Sequence, residues 1–108
     1  SRGPTIDDLV KPDIVAPGVD IISLLSPGSQ LEKQNRGEKV GDSYMSLSGT
    51  SMATPICAGV IAQILQLHQG MTPDEVKKHL ITTATLLPNT EETVQGAGII
   101  NGKESIGI

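Results

Sequence analysis

The chain has no Trp and no Phe, one Tyr (Tyr44), one Cys (Cys57) and two His among 108 residues. Without large aromatics, any core must be aliphatic and small-residue. A single cysteine excludes an intrachain disulfide and leaves no thiolate cluster for zinc. No residue is assigned as a metal ligand, and no cofactor is expected. Cys57 lies in the apolar stretch "TPICAGV", which suits a buried structural thiol better than a nucleophile. No unbroken apolar run approaches the roughly 18 residues that span a bilayer. Excess positive charge is missing too: net charge is −4, which argues against nucleic acid and anionic membranes as partners. The lone cysteine and the lack of a visible secretory feature lean toward a cytoplasmic location, with secretion as the alternative.

What is present is organised by Gly and Pro. Gly3, Pro4, Pro12, Pro17 and Gly18 punctuate the first twenty residues. Ile14-Val15 reads as a very short strand, and residues 19–25 as an extended run. Residues 27–41 are polar and read as a long loop. "DSYMSLS" alternates Tyr44 and Ser46 against Met45 and Leu47, a strand period. The two runs flanking the loop are expected to pair as a hairpin.

At Ser51 the period becomes helical. Ile56, Cys57, Val60, Ile61, Ile64, Leu65 and His68 share one face. Ala53, Ala58, Gly59 and Ala62 fill the rest, so the first half of this helix is expected to be buried nearly all round. Pro55 is expected in the first turn, where a missing N–H costs nothing, and Gly70 as the stop. A second helix starts at "MTPDEV": Thr72 as N-cap, Pro73 at N1, Glu75 at N3 of a capping box, with Val76, Leu80 and Ala84 inward. The glycines of "QGAGIINGK" fit neither a dinucleotide nor a Walker phosphate loop and read as turns. His68 and His79 lack a neighbouring carboxylate in any triad-like setting and read as surface or half-buried residues.

Ser51 stands apart. At a helix start its own N–H and the next few point into open space and carry the positive end of the dipole, where an oxyanion is stabilised. Gly49 and Thr50 leave room for a substrate carbonyl. Spacing alone leaves a second reading open, in which Thr50 or Ser51 is simply an N-cap.

The stretch "SGTSMATPICAGV" resembles the active-site serine motif Gly-Thr-Ser-Met-Ala-x-Pro of the subtilisin-like serine proteases. "SRGPT…KPDIVAPGVDIIS", "MTPDEVKKHLITTA" and "GAGIINGKESI" resemble the family's flanking segments, in the family's order. At Ile56-Cys57 the family more often has a His after the Pro. The resemblance implies that residues 1–108 are the C-terminal part of one catalytic domain. It implies an α/β fold: a portion of a three-layer α/β/α architecture around a mainly parallel sheet, with short strands, a hairpin, a long buried helix starting at the nucleophile and a second capped helix. It implies Ser51 as catalytic nucleophile, with Thr50 and Met52 beside it as substrate-binding residues, and a peptide or protein as substrate. A histidine would take the serine proton and an aspartate orient the histidine.

The chain has no Asp-Thr/Ser-Gly and no His-Gly-Thr-His motif, and Asp7, Asp13 and Asp20 have the wrong followers. The rest of the triad and the oxyanion asparagine are therefore expected upstream, in a part of the same protease that is this chain's first partner. Alone, the chain is expected to be inactive, since losing the base costs on the order of a million-fold in subtilisin. It is also expected to self-associate or stay loosely folded. The alternative from another class is a pseudo-protease, an interaction module on the same scaffold.

Overall fold

A computed structural model describes residues 1–107. The chain packs as two units, Pro17–Pro55 and, around it in sequence, Ser1–Ala16 with the chain from Ile56 onward.

The unit Pro17–Pro55 is built on a three-stranded antiparallel sheet in the order β1-β3-β2. The strands are β1 (Ile21–Leu24), β2 (Glu38–Val40) and β3 (Tyr44–Leu47). The expected hairpin partners do pair: Ile21 lies opposite Leu47 and Leu24 opposite Tyr44. The alternation in β3 holds as well, with Met45 buried and Tyr44 exposed. The stretch 27–41 is not the plain loop its polarity suggests. Ser29 caps a short helix, α1 (Gln30–Lys33), by accepting from the Glu32 N–H. Glu32 in turn accepts from the Gly28 N–H and from Lys39 Nζ at 3.0 Å. That folds the segment back so that β2 covers the second edge of β3.

Helix α2 (Thr50–Leu67) leaves this unit through its first turns and continues into the other. Its interior face meets α3 (Pro73–Thr83) in a small core of Ile64, Val76 and Leu80, flanked by Ile14, Val60, Ile61 and Ile100. Thr72, Pro73 and Glu75 form the expected capping box. Ile99 bridges Val15 in parallel and Thr85 in antiparallel. Ile14-Val15 is thus one bridge rather than a strand, and no mainly parallel sheet forms among the described residues. Two short helices close the unit, α4 (Glu92–Gln95) and α5 (Gly102–Ile106). Gln95, 3% exposed, ties the 87–90 turn with its side chain on Leu87 and Thr90 backbone atoms.

Two expectations about α2 are corrected. The helix is not buried through its first half. Only Ile64 is fully buried, and Ser51, Thr54, Pro55, Ile56, Ala58 and Gly59 are exposed. The described residues cover one face of the helix; its small residues show what it can accept, not what is there. Its 18 residues, with a mean hydropathy of 1.3 and little charge, are also long and apolar enough to cross a membrane by length and composition. The polar Thr, Ser and Gln that interrupt the apolar run hid this. Of its residues, Ile64 is the one buried, in the small core shared with Val76 and Leu80. Second, Pro55 is not in the first turn. The helix starts at Thr50, so Pro55 is its sixth residue, and the carbonyl that its missing N–H would have met is that of Ser51.

Candidate active site

The backbone delivers Ser51 in a few steps. The β1–β3 ladder ends at Ile21 opposite Leu47. The next pair outward is Asp20 and Ser48. Asp20 turns to φ 52, and its N–H donates to Ser48 Oγ at 2.8 Å. One step further, the Gly49 N–H donates to the Gly18 carbonyl at 2.7 Å. The two backbones come so close there that a Cβ on Gly18 would lie 2.8 Å from the Gly49 oxygen and 3.0 Å from the Ala53 Cβ. Gly49 itself has φ 153, a conformation L side chains rarely adopt.

The helix then begins. Gly49 supplies the first carbonyl, which accepts from the N–H groups of both Met52 and Ala53, at 3.0 and 3.2 Å. Thr50 and Ser51 are both inside the helix, so neither is the N-cap. Among the described residues their N–H groups have no acceptor, and neither has the Ser51 hydroxyl a partner. These are the orphan donors of a helix start, at the positive end of its dipole. The Thr50 carbonyl accepts from Thr54 Oγ1 at 2.9 Å. Both Thr50 and Ser51 are exposed. Met52 is half-buried and lines a cavity of about 180 Å³ with Leu25, Leu31, Met45 and Leu47. Of the three residues expected at the site, the structure thus puts Thr50 and Ser51 at the surface and turns Met52 onto the sheet.

Of the other candidate nucleophiles and bases, Cys57 is a free thiol and His79 is hydrogen-bonded. Cys57 is half-buried rather than buried, and that burial pushes its thiol up, away from the reactive thiolate. His79 Nε2 bonds the Ser105 carbonyl at 2.7 Å, and the His68 ring lies 6.3 Å from the His79 ring. Among the described residues no group of three His, Cys, Asp or Glu could hold a metal. Asp13, the one carboxylate between two lysines, lies 2.7 Å from Lys11 and 3.2 Å from Lys77. Lys11 first, then Lys77, holds its carboxyl below the usual range, and it is part of a surface ion cluster. Reading the sequence missed Gly18, Asp20 and Ser48. The Pro17-Gly18 pair signals a turn, but nothing in it announces a partner some thirty residues on.

An exposed serine hydroxyl in the first turn of a helix, with open N–H donors behind it, is how serine hydrolases present a nucleophile to an acyl group. The Subtilase family model matches residues 1–98. Serine protease AprX of Bacillus subtilis is 49% identical over 98% of this chain, and the Arabidopsis thaliana subtilisin-like protease SBT4.3 is 42% identical over 94%. The chain belongs to the subtilase family. The crystal structure of fervidolysin from Fervidobacterium pennivorans, a keratinolytic enzyme related to subtilisin, superposes on 98% of the chain with a TM-score of 0.74 at 28% identity. The chain spans 24%, 15% and 16% of the lengths of these three proteins, respectively.

Proposed function

We propose that this chain is the nucleophile-bearing part of a serine endopeptidase. Ser51 Oγ attacks the carbonyl carbon of a peptide bond, and the resulting oxyanion is received by the Ser51 N–H. Collapse of this intermediate breaks the C–N bond, the amine leaves with the proton taken from the serine, and water then hydrolyses the ester left on Ser51. The base that takes the serine proton, the aspartate that orients it and a second oxyanion donor come from the remainder of the parent protein, the chain's first partner. Thr50 and Met52 flank the nucleophile, Thr50 toward the substrate and Met52 as the packed wall behind it. The observation that carries this reading is the Ser51 end of α2: an exposed hydroxyl with unused N–H donors, inside the stretch that matches the family. Subtilases are commonly secreted, which favours the extracellular alternative over the cytoplasmic one.

A fluorophosphonate probe tests it on the full-length parent. Ser51 is labelled, Ser51→Ala abolishes labelling, and peptide mapping finds the adduct in "SGTSMA". Labelling of another serine removes Ser51 from the mechanism. The second reading, a binding module without catalysis, is motivated by the lack of the Asp and His motifs within these residues. It gains if the full-length protein is not labelled at all.

A further inference from the structure

We infer that Ser48 and Asp20 form a clasp that sets the position of the nucleophile, with Ser48 as the positioning residue; this rests on the reading of Ser51 above. Two antiparallel strands normally continue their pairing backbone to backbone. Here the ladder stops at Ile21 and Leu47 because Asp20 turns into the left-handed region at φ 52. A side chain takes over the next rung: the Asp20 N–H donates to Ser48 Oγ at 2.8 Å, and the same hydroxyl reaches Asp20 Oδ1 at 3.4 Å. The following rung is the Gly49 N–H on the Gly18 carbonyl at 2.7 Å. Only Gly49 and Thr50 separate Ser48 from Ser51.

The clasp has a particular task. Gly49 sits at φ 153, so the chain enters α2 through a residue with little conformational preference of its own. Pro55 removes the N–H that would hold the Ser51 carbonyl in the helix. Ser51 is therefore held less from the helix side than a second-position residue usually is. The strap from the 18–20 turn supplies restraint from the other side. Ser48 can accept and donate at once, which Ala cannot do and Thr can.

The test uses the full-length parent with Ser48→Ala, Ser48→Thr and Asp20→Gly. Ser48→Ala slows fluorophosphonate labelling and lowers kcat about fivefold, the scale of one lost hydrogen bond, while KM moves little. Ser48→Thr restores both rates. Asp20→Gly keeps the N–H that bonds Ser48 and removes the side chain with its carboxylate, at a φ that Gly accepts, so its loss is smaller than that of Ser48→Ala. Amide exchange at Gly49 and Met52 speeds up in Ser48→Ala and returns in Ser48→Thr, whatever the chemistry at Ser51. Ser48→Ala with unchanged labelling and exchange overturns the clasp. So does a rate loss that Ser48→Thr leaves unrepaired. Faster exchange in a protein whose wild type is never labelled at Ser51 refutes the nucleophile reading instead and strips the clasp of its catalytic purpose.

Discussion

Adding one methyl group at Gly18 tests whether the turn before β1 holds Ser51 in place. The new Cβ of Gly18→Ala would meet the Gly49 oxygen at 2.8 Å, the Ala53 Cβ at 3.0 Å and the Ala53 nitrogen at 3.3 Å. Two of these three atoms are backbone, so no side chain can rotate away. Restoring ordinary contact requires the turn or the start of α2 to move by about 0.6 Å. The move stretches the 2.7 Å bond from the Gly49 N–H to the Gly18 carbonyl. Overpacking of this kind costs about 1–3 kcal/mol. The catalytic cost is larger than the thermal one, because a shift approaching 1 Å in a reacting group costs up to about a hundredfold. The assay is the rate of fluorophosphonate labelling of the full-length parent, read beside its melting temperature. Labelling slows by about tenfold or more, and the melting temperature falls by a few degrees. Adding Ala53→Gly removes the side-chain contact but not the backbone ones, so it rescues only in part. A Gly18→Ala protein that labels and melts like wild type would refute the argument that this close approach positions Ser51.

Peroxide converts Met52 to a bulkier, polar sulfoxide in the small cavity it shares with Leu25, Met45 and Leu47, so oxidation lowers the parent's activity and Met52→Ala resists it; equal sensitivity in that variant counts against the placement. Thr72→Ala removes the α3 cap and lowers stability by about 1 kcal/mol, measured by denaturant melts; an unchanged midpoint would refute the cap. The Thr72 N–H first, then its hydroxyl, lowers the Glu75 pKa. The folded value lies below the unfolded one, so this support is present above the unfolded carboxylate pKa and is lost as pH falls through the folded one. The stability gap between wild type and Glu75→Gln therefore closes in acid, and a gap that widens there would contradict it. Finally, the isolated chain leaves Leu65 and Ile81 exposed on α2 and α3, at an apolar cavity of about 450 Å³ that they line with Cys57, Ile61, Val76 and Leu80. Such surface seeks a cover, so the chain sediments faster as its concentration rises; a concentration-independent monomer with a cooperative melt would show that it closes its own core.

What the sequence made legible was local. The α3 start is written in four adjacent residues, Thr72 to Glu75, and the structure has it. The β1–β3 pairing followed from the alternation around Met45. Most of the rest is non-local. β2 has three exposed residues and no apolar pattern, and only the free edge of β3 makes it a strand. Helix α1 exists because Glu32 reaches both Gly28 and Lys39. Pro55 is the sixth residue of α2, and even a start at Ser51 would make it the fifth, already past the first turn. The burial of α2 was read from its composition, whereas burial depends on which elements are there to cover it. At the site, the motif around Ser51 located the nucleophile candidate. The Asp20–Ser48 clasp, 28 residues apart in the chain, could not be seen before the strands were paired.

The central claim is that Ser51 Oγ carries the acyl group, and trapping that ester tests it most directly. The full-length parent is mixed with a slowly turned-over peptide ester, quenched in acid within one turnover, digested and mapped by mass spectrometry. An acyl adduct is expected on Ser51, absent in Ser51→Ala and formed more slowly in Ser48→Ala. An adduct on another residue, or peptide cleavage that persists undiminished in Ser51→Ala, would contradict it.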